Sequence, residues 1–282
     1  MTFAAMLQAL QGQVDILDRR GHHDVPVNGI TDDSRSVQAG SVFVAVKGEQ
    51  TDGHTFIPAA LKGGVTAVVL QNPAANLSIP FALVGDSRKA LGLLGGRFYR
   101  EPSSKIRMIG VTGTNGKTTT TYVCKTLLEA LGRRVGLIGT VAYQIGKETI
   151  LASHTTPGAL ELQQLLAKMV AAGCNTAVME VSSHALAQDR TSGCEYDVAV
   201  FSNLTQDHLD FHHTMEEYFQ AKLRLFTGLA GTSKLNKRAI VNVDDPAGAR
   251  IKQLCPAPVW TYGLKTQADL RAERVRLSLG GT

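Results

Sequence analysis

Residues 110–120 read GVTGTNGKTTT, and this run limits the fold more than any other part of the chain. An apolar stretch over 107–111 leads into it, and a helical pattern leaves it over about 117–131. Strand, glycine turn and helix in that order are the setting a phosphate-binding loop requires. Glycines let backbone N–H groups turn inward around phosphate oxygens, and the N-terminus of the following helix adds a positive dipole. Lys117 then neutralises phosphate charge, and the Thr118 hydroxyl is placed to face Mg2+. One position departs from the strict Gly-x-x-x-x-Gly-Lys-Thr/Ser spacing: Val111 stands where the first glycine belongs, and Gly113 and Gly116 supply the turn instead. The run predicts a nucleoside triphosphate site in an α/β domain. It does not choose among kinases, hydrolases, switches and ligases, which all use such loops.

The rest of the pattern supports an α/β class in two parts. With 282 residues, and roughly 100 to 200 per domain, two domains are expected. In the first hundred residues, β-rich runs at 41–46, 66–70 and 81–84 alternate with helical stretches at 55–62 and 87–99, the latter carrying Leu91, Leu94 and Phe98 at helical spacing. The polar segment 101–105, with Pro102, reads as a linker. Beyond it, apolar runs at 107–111, 135–138, 176–180, 197–203 and 239–242 alternate with helical stretches at 158–172 and 215–226. That alternation predicts a mostly parallel sheet covered on both faces. The last residues, 274–282, read as a strand running into a turn, a place where a complete domain rarely stops.

Composition excludes several classes. At 44% hydrophobic and 19% charged residues the chain is globular rather than disordered. The net charge of +5 is scattered, with Arg133/Arg134 and Lys237/Arg238 the longest clusters, so no nucleic-acid-binding stripe is predicted. Cys124, Cys174, Cys194 and Cys255 form neither a Cys-x-x-Cys pair nor a disulfide framework, which suits a reducing compartment. The N-terminal run MTFAAMLQALQGQVDIL lacks the plan of a secretory signal, and no apolar run approaches the roughly 18–20 residues of a membrane span. A cytoplasmic protein without a membrane span is expected.

Four further motifs lie in order along the chain: TDDSRSVQAGSVFVAVKGEQTDGHTFIPAAL at 31–61, HTTP at 154–157, EVSSHALAQDR at 180–190 and NLTQDHLDFH at 203–212. Together with GTNGKTT at 113–119, they closely resemble the Mur ligase family, and within it the ligases that add the third residue of the peptidoglycan stem peptide. The resemblance implies a small N-terminal nucleotide-sugar-binding α/β domain, 1–103, followed by a P-loop, mostly parallel central ATP-binding domain, 104–282. It also implies that this second domain is incomplete and that a C-terminal ligase domain is absent.

The activity so implied is ATP-dependent, ADP-forming amide synthesis. The γ-phosphate passes to the carboxylate of UDP-N-acetylmuramoyl-L-alanyl-D-glutamate, and an amino acid's amine attacks the acyl phosphate. Meso-diaminopimelate is expected ahead of L-lysine as that amino acid. Moving a phosphoryl group between anions demands charge neutralisation and positioning rather than a protein nucleophile. The alternatives are another ligase of the superfamily, such as a folylpolyglutamate synthetase-like enzyme, and a regulatory nucleotide-binding protein that has lost catalysis.

The resemblance assigns roles residue by residue. Gly113, Thr114, Asn115, Gly116, Lys117, Thr118 and Thr119 bind ATP, Glu180 and Thr118 hold Mg2+, and His208 holds a second Mg2+. Asn203 and Asp207 order the loop around it. Without the resemblance, the run containing His208, His212 and His213 reads as surface chemistry rather than a metal cluster. Thr155, Thr156, Ser182, Gln188 and Arg190 take the muramoyl peptide, with His154 beside them. Asp32, Ser34 and the segment Glu49, Gln50 and Thr51, flanked by Gly48 and Gly53, take the uridine nucleotide and sugar. Lys222 sits in YFQAKLRLF, an amphipathic pattern in which a lysine ordinarily faces solvent. The resemblance instead makes it a CO2-derived carbamate, an anionic oxygen ligand beside the metal, and catalytic together with Lys117 and His208. The partners implied are small molecules only, namely ATP, the amino acid and the UDP-muramoyl dipeptide, acting on a monomer. The 282-residue chain alone is expected to bind nucleotide weakly and not to turn over.

Overall fold

The computed structural model describes residues 1–48, 51–73 and 77–276. The chain divides into two compact units. The first comprises residues 1–103 together with 157–168 and 188–194, and the second comprises 104–156, 169–187 and 195–282.

The first unit carries β1 (Ile16–Arg20), β2 (Gly29–Thr31), β3 (Ser41–Val44), β4 (Ala67–Leu70) and β5 (Phe81–Val84) in the order β1-β5-β4-β3-β2. Strands β2 to β5 run parallel, and β1 is antiparallel to β5. Its helices are α1 (Phe3–Leu7), α2 (Ile57–Lys62) and α3 (Ser87–Phe98). Alternation along β3 shows how the unit is filled. Val42 and Val44 join a core with Phe3, Met6, Leu91 and Leu94 on one face, while Phe43 joins Ile57 and Ala60 on the other. The helical pattern at 55–62 resolves into a tight turn, Gly53–Phe56, and then α2, because Pro58 fits only the first turn of a helix. The segment read as a linker contains one helical turn, α4 (Pro102–Lys105), with Pro102 and Ser103 buried. Proline had argued against helix for the residue before it, and it here opens the helix itself.

The second unit holds a nine-stranded sheet. Its strands are β6 (Arg107–Thr112), β7 (Val135–Ile138), β8 (Ala142–Ile145), β9 (Glu148–Leu151), β10 (Thr176–Glu180), β11 (Val198–Phe201), β12 (Arg238–Asn242), β13 (Val259–Gly263) and β14 (Leu270–Arg271). The order is β14-β13-β12-β11-β6-β10-β7-β8-β9, parallel except for the antiparallel β7-β8-β9 edge. Its helices are α5 (Lys117–Ala130), α7 (Ser183–Ala187), α8 (Leu209–His212), α9 (Met215–Thr227) and α10 (Pro246–Leu254), while α6 (Ala159–Ala171) belongs to the first unit up to residue 168. Every residue of β10 is buried, as are the last five of β6, which is the signature of parallel strands covered on both faces. Ile109, Val111, Leu137, Val178 and Val200 face the α5 side, with Tyr122, Cys124 and Leu128 against them, whereas Phe201 meets Phe226 of α9 on the opposite face. Of the terminal run 274–282, residues 277–282 lie outside the described residues, and 274–276 are not strand. The four cysteines are free thiols, and no helix among the described residues is long and apolar enough to cross a membrane.

At the carboxyl end of β12, the Asp244 carboxylate accepts backbone N–H bonds from Leu264 (2.6 Å), Lys265 (3.0 Å) and Thr266 (2.7 Å). Those donors hold its pKa down at about 2. Its hold on the turn is therefore complete above the ordinary carboxylate range, near 3.8, and fades as the pH falls toward 2. Protection of the Leu264, Lys265 and Thr266 amides, relative to the intrinsic exchange rate at each pH, should fall over that acid window, and at neutral pH in Asp244→Ala. Unchanged protection in the variant would show that the turn is held by something else.

Candidate phosphate-binding and acyl-transfer site

The loop after β6 is held by its neighbour strand's loop. Thr114 N–H donates to the Asn203 carbonyl (2.8 Å), and Asn115 N–H donates to Asn203 Oδ1 (3.0 Å). Asn203 Nδ2 (3.1 Å) and the Ser202 hydroxyl (2.7 Å) both donate to the Asn115 carbonyl. The Asn203 amide side chain thus imitates a strand partner for Asn115, which fixes the loop. Gly113 has φ +149°, and a Cβ there would strike the Ser202 hydroxyl, so both backbone and space exclude a side chain. Gly116 caps α5 in the left-handed region at φ 84°. Gly113→Ala should cost about 2–4 kcal/mol in denaturant unfolding, from strain plus overpacking. A loss below about 0.5 kcal/mol would show that the loop relaxes freely.

Register explains why Glu180 arrives here. β10 pairs with β6 so that Glu180 lies opposite Val111, at the carboxyl edge where open α/β sheets bind ligands. Glu180 is fully buried. Its carboxylate accepts hydrogen bonds from the Thr118 hydroxyl (2.9 Å), the Thr140 hydroxyl (3.2 Å) and the Thr140 backbone N–H (2.9 Å). A Cβ on Gly139 would collide with Glu180 Oε1, which accounts for glycine at that position. A buried carboxylate beside a hydroxyl is a hard oxygen donor set of the kind Mg2+ takes.

Two lysines converge on one carbonyl. Lys117 Nζ donates to the Gly113 (3.0 Å) and Thr114 (2.9 Å) carbonyls, and Lys222 Nζ donates to the same Gly113 oxygen at 2.8 Å. Burial lowers the Lys117 pKa, opposed by the charges of Glu180 and Asp207. Lys222 is only 1% exposed, against the expectation that a lysine in this amphipathic helix faces solvent. It points inward because α9 buries the face carrying Tyr218, Lys222 and Phe226, at i, i+4 and i+8. Burial, and then the neighbouring Lys117, bring the Lys222 pKa down to about 7.

The histidine run does not form surface chemistry throughout. His212 is buried and packs against His184 (5.4 Å between centroids) and Tyr218 (5.0 Å). Burial, then the charges of His184, Lys222 and His208, push its pKa down to about 4. His208 lies with its ring edge-on to His184 (4.7 Å) and 6.1 Å from the Tyr218 ring, and Asp207 accepts its backbone N–H. Among the described residues, no group of three or more His, Cys, Asp and Glu side chains is arranged to hold a metal. The four residues expected at metals divide into a hydrogen-bonded Thr118–Glu180 pair and His208 and Lys222, whose side chains both meet the Tyr218 ring.

Beside Glu180, the Thr156 hydroxyl donates to the Glu180 carbonyl (2.8 Å) and accepts from Ser182 N–H (3.0 Å), and the Thr155 hydroxyl lies 3.1 Å from that of Thr140. Tyr143 fixes His154 by bonding both its carbonyl and its N–H. Gln188 and Arg190 belong to the first unit, where Arg190 Nε donates to Gln188 Oε1 at 2.8 Å. In that unit Asp32 and Ser34 follow β2 and Thr51 follows β3, two adjacent parallel strands, so their loops share one carboxyl edge. His54 ties the edge together: Nδ1 meets Asp52 at 2.6 Å, and Nε2 accepts the Gln71 and Asn72 amides after β4. Glu49 and Gln50 lie outside the described residues. Sequence reasoning missed Thr140, Gly139 and Tyr218, none of which carries a local signal. It also missed a cavity of about 600 Å3 lined by Asn242, Asp244, Tyr262, Leu264 and Arg271.

Residues 111–282 match the Mur ligase middle domain, and residues 26–99 match the Mur ligase family catalytic domain. The chain is 44% identical over 262 residues to the UDP-N-acetylmuramoyl-L-alanyl-D-glutamate--2,6-diaminopimelate ligase of Bacillus velezensis, an alignment covering 92% of this chain and 53% of that protein. A solved structure of a ligase with the same name superposes with a TM-score of 0.83 at 32% identity, over 100% of this chain and 56% of the other. The MurF ligase of Thermotoga maritima in complex with ADP gives a TM-score of 0.56 at 26% identity, over 88% of this chain and 53% of the other. The chain spans about half the length of the curated relatives it matches. Because the middle-domain match alone takes in more than half of its residues, the chain belongs to the Mur ligase family.

Proposed function

We propose that this chain carries the ATP-binding and acceptor-binding parts of an ATP-dependent, ADP-forming amide ligase of peptidoglycan precursor synthesis. The ligase joins 2,6-diaminopimelate to UDP-N-acetylmuramoyl-L-alanyl-D-glutamate and acts as a monomer in the cytoplasm. Residues 1–103 bind the UDP-sugar end of the acceptor, and 104–282 bind ATP. The observation that carries this reading is the meeting of Lys117, Lys222 and the Thr118–Glu180 pair around one phosphate loop.

The chemistry follows from charge. In the free protein Lys117 rests on the carbonyls of its own loop, from which its ammonium turns to the β- and γ-phosphates. The loop amides and the α5 dipole stabilise the same charge. Thr118 and Glu180 would hold Mg2+, which supplies neutralisation of the phosphate oxygens as the phosphoryl group transfers. Thr155, Thr156 and Ser182 orient the acceptor beside Glu180, while Gln188 and Arg190 bind its anionic groups. Lys222 is the carbamate-forming residue. Its amine nitrogen bonds to the carbon of CO2 and releases a proton, changing the terminus from donor to anionic acceptor, which with His208 is suited to a second Mg2+. A pKa of about 7 leaves about half of this amine neutral at pH 7, whereas an ordinary lysine has less than about 0.1%.

Calorimetry on the 282-residue chain tests the reading. MgADP and the UDP-muramoyl dipeptide should each bind at one site, and uridine nucleotide should compete only with the dipeptide. Competition of uridine nucleotide with MgADP, or binding of neither ligand, would contradict it.

A further inference from the structure

We propose that Tyr218 is a positioning residue that locks the phosphate loop and seats the Lys222 amine against it, an assignment that rests on reading 113–118 as the nucleotide loop. Tyr218 is 1% exposed on α9, and three independent contacts meet on its side chain. Its hydroxyl lies 3.2 Å from the Thr114 hydroxyl. Thr114 Oγ1 also accepts the Thr205 N–H (3.0 Å) and reaches the Thr205 carbonyl (3.2 Å). Thr114 has one hydroxyl proton, so the network closes when that proton goes to the Thr205 carbonyl and Tyr218 donates to Thr114. Burial raises the Tyr218 pKa, which keeps that donor proton in place.

The ring makes the other two contacts. Lys222 Nζ lies 4.4 Å from its centroid, over the face that attracts a cation, and the same Nζ donates to the Gly113 carbonyl. The buried His212 ring, tilted 32° at 5.0 Å, lies against it as well and limits its freedom to rotate away. The hydroxyl therefore acts through Thr114 on the loop's second residue, and the ring acts through Lys222 on its first. Four residues along α9, from Tyr218 to Lys222, put both devices on one helix face, so the loop and the lysine keep one spacing.

Tyr218→Phe keeps the ring and removes the hydroxyl, whereas Tyr218→Leu removes both. Amide exchange at Thr114 and Thr205 and MgADP affinity by calorimetry read the two functions on the intact chain. In Tyr218→Phe, exchange at both amides should rise about five-fold and MgADP binding should weaken about five-fold, the worth of one hydrogen bond, with exchange in β10 unchanged. Tyr218→Leu should weaken MgADP a further three-fold or so. If Tyr218→Leu does not fold, Tyr218→Phe decides alone. Parental exchange and affinity in Tyr218→Phe would overturn the assignment. So would faster exchange with parental affinity, which would leave a structural hydrogen bond and no more. A parent chain that does not bind MgADP would instead remove the nucleotide reading, and this assignment with it.

Discussion

Lys117→Ala should weaken MgADP binding to the chain at least about 100-fold while leaving the UDP-muramoyl dipeptide affinity unchanged. Each charged hydrogen bond to phosphate is worth about 1.5–3 kcal/mol, and Lys117 is placed to make two, having two carbonyl partners in the free loop. Removal also leaves the Gly113 carbonyl to Lys222 alone and the Thr114 carbonyl without its Lys117 bond, so the loop loses order before the ligand arrives. Lys117→Arg should not rescue binding, because the wider, planar guanidinium does not fit a point-charge position enclosed by its own loop. Titration calorimetry measures both ligands. Less than a ten-fold loss for MgADP would mean that the nucleotide binds elsewhere.

Lys222→Ala, in a protein that carries this chain with the remaining length of its relatives, should abolish ligation, with partial recovery in short carboxylates that replace the missing anionic oxygen. Full activity in the variant would eliminate the carbamate. A pH signature accompanies it. With a folded pKa of about 7 against an ordinary value of 10.5, Lys222 binds more protons in the unfolded chain between those limits. Its destabilising contribution is fully present below about pH 7 and disappears as the pH rises toward 10.5. Lys222→Met should therefore stabilise the chain near pH 6, by on the order of a few kcal/mol, and the gain should shrink at pH 9. At constant dissolved CO2, carbamate labelled from 13C-bicarbonate should increase from pH 6 to 8 in the parent and be absent from Lys222→Met.

What could be read from the sequence divides along a physical line. The Gly113–Lys117 turn, the strand ending in Glu180 and the α5 pattern are local statements of backbone chemistry and periodicity, and each lies where its residues predict. The burial of Lys222 is not local, since the helix period marks a face but not whether that face meets solvent or a sheet. The motif marks Asn203 only as a residue that orders a loop. Its use as a substitute strand partner for Asn115 depends on β11 lying beside β6, a pairing between residues about ninety positions apart. His212 and Tyr218 are buried by each other, so neither carries a signal alone. The antiparallel β8 and β9 hairpin was missed because Ala142 and Tyr143 are buried while β9 is largely exposed, which leaves no clean alternation.

We propose that phosphoryl transfer creates an acyl phosphate on the acceptor's carboxylate. In the full-length setting, UDP-muramoyl dipeptide labelled with 18O in the D-glutamate carboxylate that is activated should be turned over with ATP, Mg2+ and 2,6-diaminopimelate, and the released phosphate analysed by mass. One 18O atom is expected in each phosphate formed. Unlabelled phosphate with labelled amide product would contradict it.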